Sequence, residues 1–333
     1  MFKKFVFQKF FKDVLTGAKL GLRFIPMLID ALDLKIIRAI ENGGKIFQNN
    51  LAPILAEPNL KNEDIVTRLS RIESEQLIKD YKTTICVPRF MGGDWTLSCA
   101  LGITNKPENT IIQISQKLPF VIEIIRNVSL PEGYSPNFSI LFYTKEFPTS
   151  QQFLKEFDAL SYVEIYKLRE YSYPIPPPLT VEEKKLLLEI YKKPTVQFQE
   201  LSQLFGQDLV WIKTKVLNLV SNPENLENDS SNEIGFIQIL PEIDWSDCEN
   251  FRHIHFLVEK NSCPNLPKNN EFQLVLSGQS FRGKFCQIEN DIWGYNQLIA
   301  KLNILKQAGI NIRGIILAQS NHVINQWVRK LII

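Results

Sequence analysis

The feature that most limits what this chain can fold into is a restart. Three short helical patterns and a run of alternating strands occupy residues 30 to 173, Pro174-Ile-Pro-Pro-Pro178 interrupts them, and at Thr180 the same plan begins again. Proline at four of five positions neither propagates a helix nor fills a ladder, so this segment reads as a stiff, extended linker. A supersecondary plan laid down twice points to two copies of one two-part unit.

The first copy is readable from periodicity and caps. Leu32, Ile36, Ile37 and Ile40 share one face of a helix stopped by Asn42-Gly43-Gly44. A second helix is expected over about Asn50 to Ala56, ending before Pro58. The third opens with Asn62 as N-cap, has Glu63 and Asp64 in its first turn, and turns Ile65, Leu69 and Ile72 inward. Followed by a strand near Lys82 to Val87, these helices make a winged helix-turn-helix. Strand alternation then appears at Thr96 to Thr104, Phe120 to Val128, Asn137 to Thr144 and Tyr162 to Arg169, with helical patterns at Asn109 to Lys117 and Ser150 to Ala159. That order, βαββαβ, is the ferredoxin-like plan, whose uncovered sheet face is normally a dimer interface.

After the linker, Thr180 caps a helix to Tyr191, and Phe198 to Phe205 and Asp208 to Val220 supply the second and third helices. Asn222 to Asn232 is a polar loop or wing tip. Strands are expected at Ile234 to Leu240, His253 to Glu259, Phe272 to Ser277, Gly283 to Ile288 and Ile312 to Ala318, with a helix at Tyr295 to Gln307 and a last one near Val323 to Leu331. The first helix of this second ferredoxin-like unit is missing or shortened. The expected fold is therefore α+β: winged helix-turn-helix domains at 30–82 and 180–232 alternate with ferredoxin-like domains at 83–173 and 233–333, the second degenerate. Residues 1–29 form a leader and 174–179 the linker.

Composition narrows the function. With 38 Lys and Arg against 36 Asp and Glu, any surface for a polyanion must come from local rather than bulk charge. Five cysteines without a C-x-x-C pair fit neither a disulfide framework nor a zinc ribbon, and suit a reducing, cytoplasmic setting. No stretch is long and apolar enough for a membrane span. Residues 1 to 24 carry six basic residues against one acid, with Phe2, Phe5, Phe10 (or Phe11), Val14 and Leu15 near helical spacing. A basic amphipathic helix of this kind lies on a membrane surface, targets an organelle, or packs on another domain.

Three blocks of residues resemble the Lrp/AsnC (feast/famine) transcriptional regulators, here in tandem. They are Thr180-Val-Glu-Glu-Lys-Lys-Leu-Leu-Leu-Glu-Ile190, Gln199-Glu-Leu-Ser-Gln-Leu-Phe-Gly206 and Lys213-Thr-Lys-Val-Leu-Asn-Leu219. The first copy matches at Asp30-Ala-Leu-Asp-Leu-Lys-Ile-Ile37 and Ile65-Val-Thr-Arg-Leu-Ser-Arg-Ile-Glu73, with Gln76 where the family has glycine. The resemblance implies a DNA-binding regulator whose ferredoxin-like domains bind an effector and oligomerise. Gly133 and Tyr134 echo the family's effector-pocket element, and Asn137 stands near the position of its aspartate. Double-stranded DNA is the expected partner, with a small-molecule effector. An intramolecular pseudo-dimer would place the two recognition helices, and a homo-oligomer is the alternative.

DNA binding requires cationic or small polar side chains on the exposed face of the third helix. The candidates are Thr67, Arg68, Ser70 and Arg71 in the first copy, and Lys213, Thr214 and Lys215 in the second. Two other readings stand beside the regulator. Winged helices also serve as protein-binding modules, which makes an adaptor or assembly role possible. The siroheme decarboxylases are built from the same two domains, and their chemistry wants His and Arg lining a porphyrin cleft between domains. His253 and His255, two apart on a strand, share one face and are weak metal-ligand candidates with Cys248 or Cys263. With no nucleophile–base motif, phosphate loop or H-E-x-x-H, the sequence favours a chain that is not an enzyme and has no cofactor.

Overall fold

The computed structural model describes residues 27–43, 55, 61–118, 120–130, 136–157, 160–220, 235–248, 250–259, 273–276 and 285–332. Residues 1–26 of the leader, nearly all of the expected second helix, the polar 222–232 loop and the pair Gly133 and Tyr134 lie outside these residues.

The first helix, α1, spans Ala31–Gly43, and the third expected helix is α2, Asn62–Ser74. Asn62 is not its N-cap. That position belongs to Lys61, whose N–H is accepted by the Asp64 carboxylate at 3.1 Å, because an acid three residues into the helix can reach back to the orphan donor. Ile65, Leu69 and Ile72 are buried as their spacing predicted. Past the C-cap Glu75 the chain turns at Gln76, at φ +63° in the left-handed region where glycine is at ease, which is the position where the regulator pattern carries glycine.

β1, Ile78–Ile85, starts four residues earlier than expected. It pairs antiparallel with β6, Ile237–Ile243, from Ile78 opposite Ile243 to Ile85 opposite Ile237. The strand after the first helix group thus finds its partner in the strand after the second. A short helix that periodicity did not reveal, α3, Val87–Met91, follows with Pro88 in its first turn, where the missing N–H costs nothing. Gly92 comes next. A Cβ there would stand 2.6 Å from the Cα of Ile175, so the glycine lets the proline-rich linker cross at van der Waals distance.

The remaining elements of this half are β2 (Gly93–Ile103), α4 (Glu108–Ser115), β3 (Val121–Leu130), β4 (Phe138–Thr144), α5 (Ser150–Glu156) and β5 (Tyr162–Tyr173). Past the linker come α6 (Val181–Lys192), α7 (Phe198–Phe205) and α8 (Leu209–Leu219). Thr180 and Glu183 close a reciprocal capping box on α6, and Asp208 caps α8 through the Trp211 N–H at 2.8 Å. Beyond β6 lie a 3-10 turn (Trp245–Asp247), β7 (Phe251–Glu259), β8 (Gln273–Leu276), β9 (Phe285–Trp293), α9 (Gly294–Gln307), β10 (Ile312–Val323) and α10 (Val328–Ile332). The last helix does not begin at Val323. That residue stays in the sheet opposite Glu123, and its N–H is taken by Glu242.

Eight strands form one antiparallel sheet in the order β5-β2-β4-β3-β10-β7-β9-β8. Its halves, β5-β2-β4-β3 and β10-β7-β9-β8, each set fourth, first, third and second strands side by side. β3 and β10 join them along eight paired residues, and the end strands β5 and β8 come into contact, so the sheet curls on itself. Alternation then separates two environments. On the outer face, Ile254, Phe256 and Val258 of β7 pack with Leu298 and Leu305 of α9, each such burial contributing roughly 1.5–3 kcal/mol. On the inner face Cys99, Leu101, Tyr166 and Ile316 meet. The fold is a mixed α+β one with antiparallel sheets, consistent with winged-helix and ferredoxin-like parts.

Candidate functional site

The alternation that points Ile254 and Phe256 outward turns His253 and His255 to the other face of the sheet, and their Nε2 atoms stand 3.1 Å apart. Asp291 of β9 lies directly across the ladder from His253, and its carboxylate is 2.9 Å from His253 Nδ1. From the other side α1 delivers Arg38, whose guanidinium reaches His253 Nδ1 at 3.2 Å, Asp291 at 3.3 Å and Glu41 at 2.9 Å. Burial pushes the Asp291 carboxyl up, but the His253 hydrogen bond and the Arg38 charge outweigh it and hold the group below the usual carboxylate range. Two tautomers of His253 satisfy this set. With Nδ1 protonated toward Asp291, Nε2 accepts from His255; with Nδ1 accepting from Arg38, Nε2 donates to His255.

Beside this cluster β3 contributes a half-buried carboxyl, Glu123. Burial pushes its pKa up to about 7; the hydrogen bond from Asn321 Nδ2 lowers it, and the like charges of Glu41 and Glu242 raise it. Asn321 is oriented by the Pro241 carbonyl at 3.1 Å. Arg38, Glu41, Glu123, Trp245, His253 and Asn321 line one cleft of about 270 Å³, between α1, the β6 ribbon and the inner face of the sheet. It holds a cation, a carboxylate-oriented imidazole and a carboxyl that exchanges its proton near neutrality, which is the equipment of acid–base chemistry on a bound polar molecule.

The residues expected to read DNA are placed differently. Arg68 binds Asp30 at 2.7 Å and Asp33 at 2.8 Å, and Arg71 binds Asp33 at 2.5 Å, so both guanidiniums lie against the start of α1. Lys215 does the same in the second copy, 3.1 Å from Glu183 near the start of α6. Thr67 and Thr214 donate to the carbonyls of Glu63 and Val210, one turn back. Ser70 is exposed, and Lys213 is exposed with its ammonium 5.9 Å from the Phe198 ring centre. Of the effector candidates, Asn137 accepts from the Thr104 N–H at 3.0 Å and donates to the Thr104 carbonyl at 2.7 Å, pinning the end of β2. His253 and His255 share a face as their spacing predicted. Among the described residues no group of three His, Cys, Asp or Glu forms a metal site there, and Cys248 is buried beside Asn250.

Sequence reading missed Arg38, Glu123, Asp291 and Asn321. Glu123 left a trace, as a lone acid inside Val-Ile-Glu-Ile-Ile, and so did Arg38, one residue past Ile36-Ile37 on an apolar helix. Asp291 and Asn321 left none, because only strand register brings them to the cleft.

No protein-family model matches this sequence, and no curated protein matches it. Among solved structures, the siroheme decarboxylase NirDL aligns with 90% of this chain and 96% of its own at 12% identity and a TM-score of 0.42. The same enzyme in complex with an iron-uroporphyrin III analogue aligns at 11% identity and 0.38. An AsnC family transcriptional regulator from Agrobacterium tumefaciens covers 45% of this chain and 97% of its own at 16% identity and 0.27. The expectation of a chain that is not an enzyme does not stand, since the likenesses that run along nearly all of it are to an enzyme. At these identities no residue role carries across.

Proposed function

We propose that this chain is an enzyme that works in the Arg38–His253–Glu123 cleft, and that its reaction is decarboxylation of a carboxylate-bearing tetrapyrrole. The observation that supports this is the convergence of Arg38, the Glu123 carboxyl and His253, itself held by Asp291 from behind, in one cleft between the first helix group and the sheet. Arg38 is the group that seats a substrate carboxylate. His253, held by Asp291, is the proton donor. In the step itself the bond between an acetate arm's carboxyl carbon and its methylene breaks, the carboxylate leaves as CO2, and the electron pair left on the methylene takes a proton to become methyl. Glu123 and His255 then return a proton to the site. Anaerobic incubation with siroheme, read by mass spectrometry, is expected to show loss of CO2, and His253→Ala and Arg38→Ala to abolish it. Absence of turnover by the intact chain, or turnover unchanged in both variants, refutes the reading.

A second reading is favoured by Lys213 and Thr214, which lie exposed on α8 with no carboxylate partner for Lys213 among the described residues. Under it the chain is a tandem Lrp/AsnC-like regulator whose two halves form an intramolecular pseudo-dimer through the β1–β6 and β3–β10 pairings, and which contacts duplex DNA through its second winged helix alone.

A further inference from the structure

At the linker-side ends of β2 and β5, on the face of the sheet that also carries Cys99 and Leu101, three cations lie over aromatic rings. Lys145 Nζ stands 5.1 Å from the centre of Trp95, Arg169 is 5.3 Å from Tyr171, and Arg89 is 5.3 Å from Tyr173 and 5.9 Å from Phe236. The rings are continuous: Trp95 is the cross-strand partner of Tyr171, and Tyr171 and Tyr173 stack with centres 6.1 Å apart. Among the described residues none of the three cations has a carboxylate partner, whereas most of the other guanidiniums there are tied to acids. Glu146 is the acid nearest in sequence, exposed at the rim beside Lys145, and Glu170, which alternation turns away, is bound to Lys167 at 2.6 Å. A row of cations held in place by rings beneath them, and left without counter-charge, is built for an anion.

The neighbouring surface says which anion. Beside Lys145 and Trp95 the strand ends border a groove of about 630 Å³, walled by Phe120, Phe142 and Phe147 and rimmed by exposed Met91. Phe120 holds φ +65°, a left-handed conformation rarely taken by a bulky residue, and with it packs edge-on to both Trp95 and Trp327. An aromatic groove accepts unstacked bases, which a duplex does not offer, next to cations that track a backbone.

We propose that this face binds single-stranded nucleic acid, with phosphates on Lys145, Arg169 and Arg89 and a base in the Phe120–Phe147 groove. The test is fluorescence anisotropy of the full chain with a labelled 12-residue oligo-dT and with a duplex of equal length, across a salt series. Saturable binding that prefers oligo-dT is expected. Arg89→Ala/Arg169→Ala should weaken it at least tenfold and lower the salt slope by roughly 0.7 per lost phosphate contact. Phe147→Ala should weaken it several-fold with the slope unchanged. Absence of saturable oligo-dT binding, a preference for duplex, or affinity indifferent to Arg89, Arg169 and Lys145 overturns the proposal. Thermal melting of each variant separates loss of contact from loss of fold, and Arg89→Lys/Arg169→Lys should keep most of the affinity. None of these residues lines the Arg38 cleft, so this proposal and the enzyme reading fail independently.

Discussion

The two helix groups are built on one bond pattern and finished differently. In the first, Asp33, third residue of α1, caps the N–H of Asp30 and binds Arg68 and Arg71 of α2. In the second, Glu183, third residue of α6, caps the N–H of Thr180 and binds Lys215 of α8. Arg68 and Lys215 are each the seventh residue of their helix, after threonines with matching one-turn-back hydrogen bonds, and Ile65, Leu69 and Ile72 fall where Ile212, Val216 and Leu219 fall. The difference lies in burial and use. The Asp33 side chain is 2% exposed and binds two guanidiniums, and α1 goes on to place Arg38 in the cleft. The Glu183 side chain is 20% exposed with one lysine, and leaves Lys213 facing outward. Residues that look like phosphate readers in sequence can therefore be the clasp between first and third helix, and an acid at the third position of the first helix decides which.

The largest test of this contrast is stability. Asp33→Ala strands two guanidiniums at a buried acid's place and should cost about 2–4 kcal/mol in urea denaturation, whereas Glu183→Ala should cost about 0.5–1 kcal/mol. Equal losses would mean that the two clasps do not differ. Next comes the cleft that α1 alone serves. The folded state holds a proton on Glu123 up to about pH 7, whereas the unfolded chain releases it near the ordinary glutamate value of 4.5, so the folded form binds more protons between these values. Wild-type stability should accordingly fall as pH rises from about 4.5 to 7, by on the order of 2–3 kcal/mol, and Glu123→Gln should flatten that slope. A variant that keeps the slope would place the titration elsewhere.

On duplex DNA the asymmetry predicts a smaller effect. Lys213→Ala should weaken any binding up to tenfold, while Arg68→Ala should act only through loss of stability. An equal, fold-independent loss from Arg68→Ala would remove the distinction between the helix groups. The smallest effect concerns two left-handed turns, at Gln76 (φ +63°) and Gly206 (φ +62°). Gln76→Gly should raise stability by about 0.5–1 kcal/mol, and Gly206→Ala should lower it by about 1 kcal/mol, measured by thermal melting.

Local features were legible in the sequence. Thr180, Asp208, and the apolar triplets of α2 and α8 announce their helices because caps and periodicity act within one or two turns. Strand ends were not. β5 runs on to Tyr173 and β10 to Val323 because they pair with β2 and β3, and pairing is a property of the partner. The same holds for the cleft: His253 drew notice for its spacing to His255, but Arg38, Glu123 and Asp291 stand 215, 130 and 38 positions from it. Only assembly of α1, β3, β7 and β9 makes them neighbours.

The β3–β10 seam has an evolutionary consequence. When two identical chains meet edge to edge, every substitution is made twice and the interior must stay symmetric. Here both sides of the seam belong to one polypeptide. The inner face of β2 can keep Cys99 and Leu101 as packing while that of β7 carries His253 and His255, and each side is free to specialise without asking the same of its counterpart.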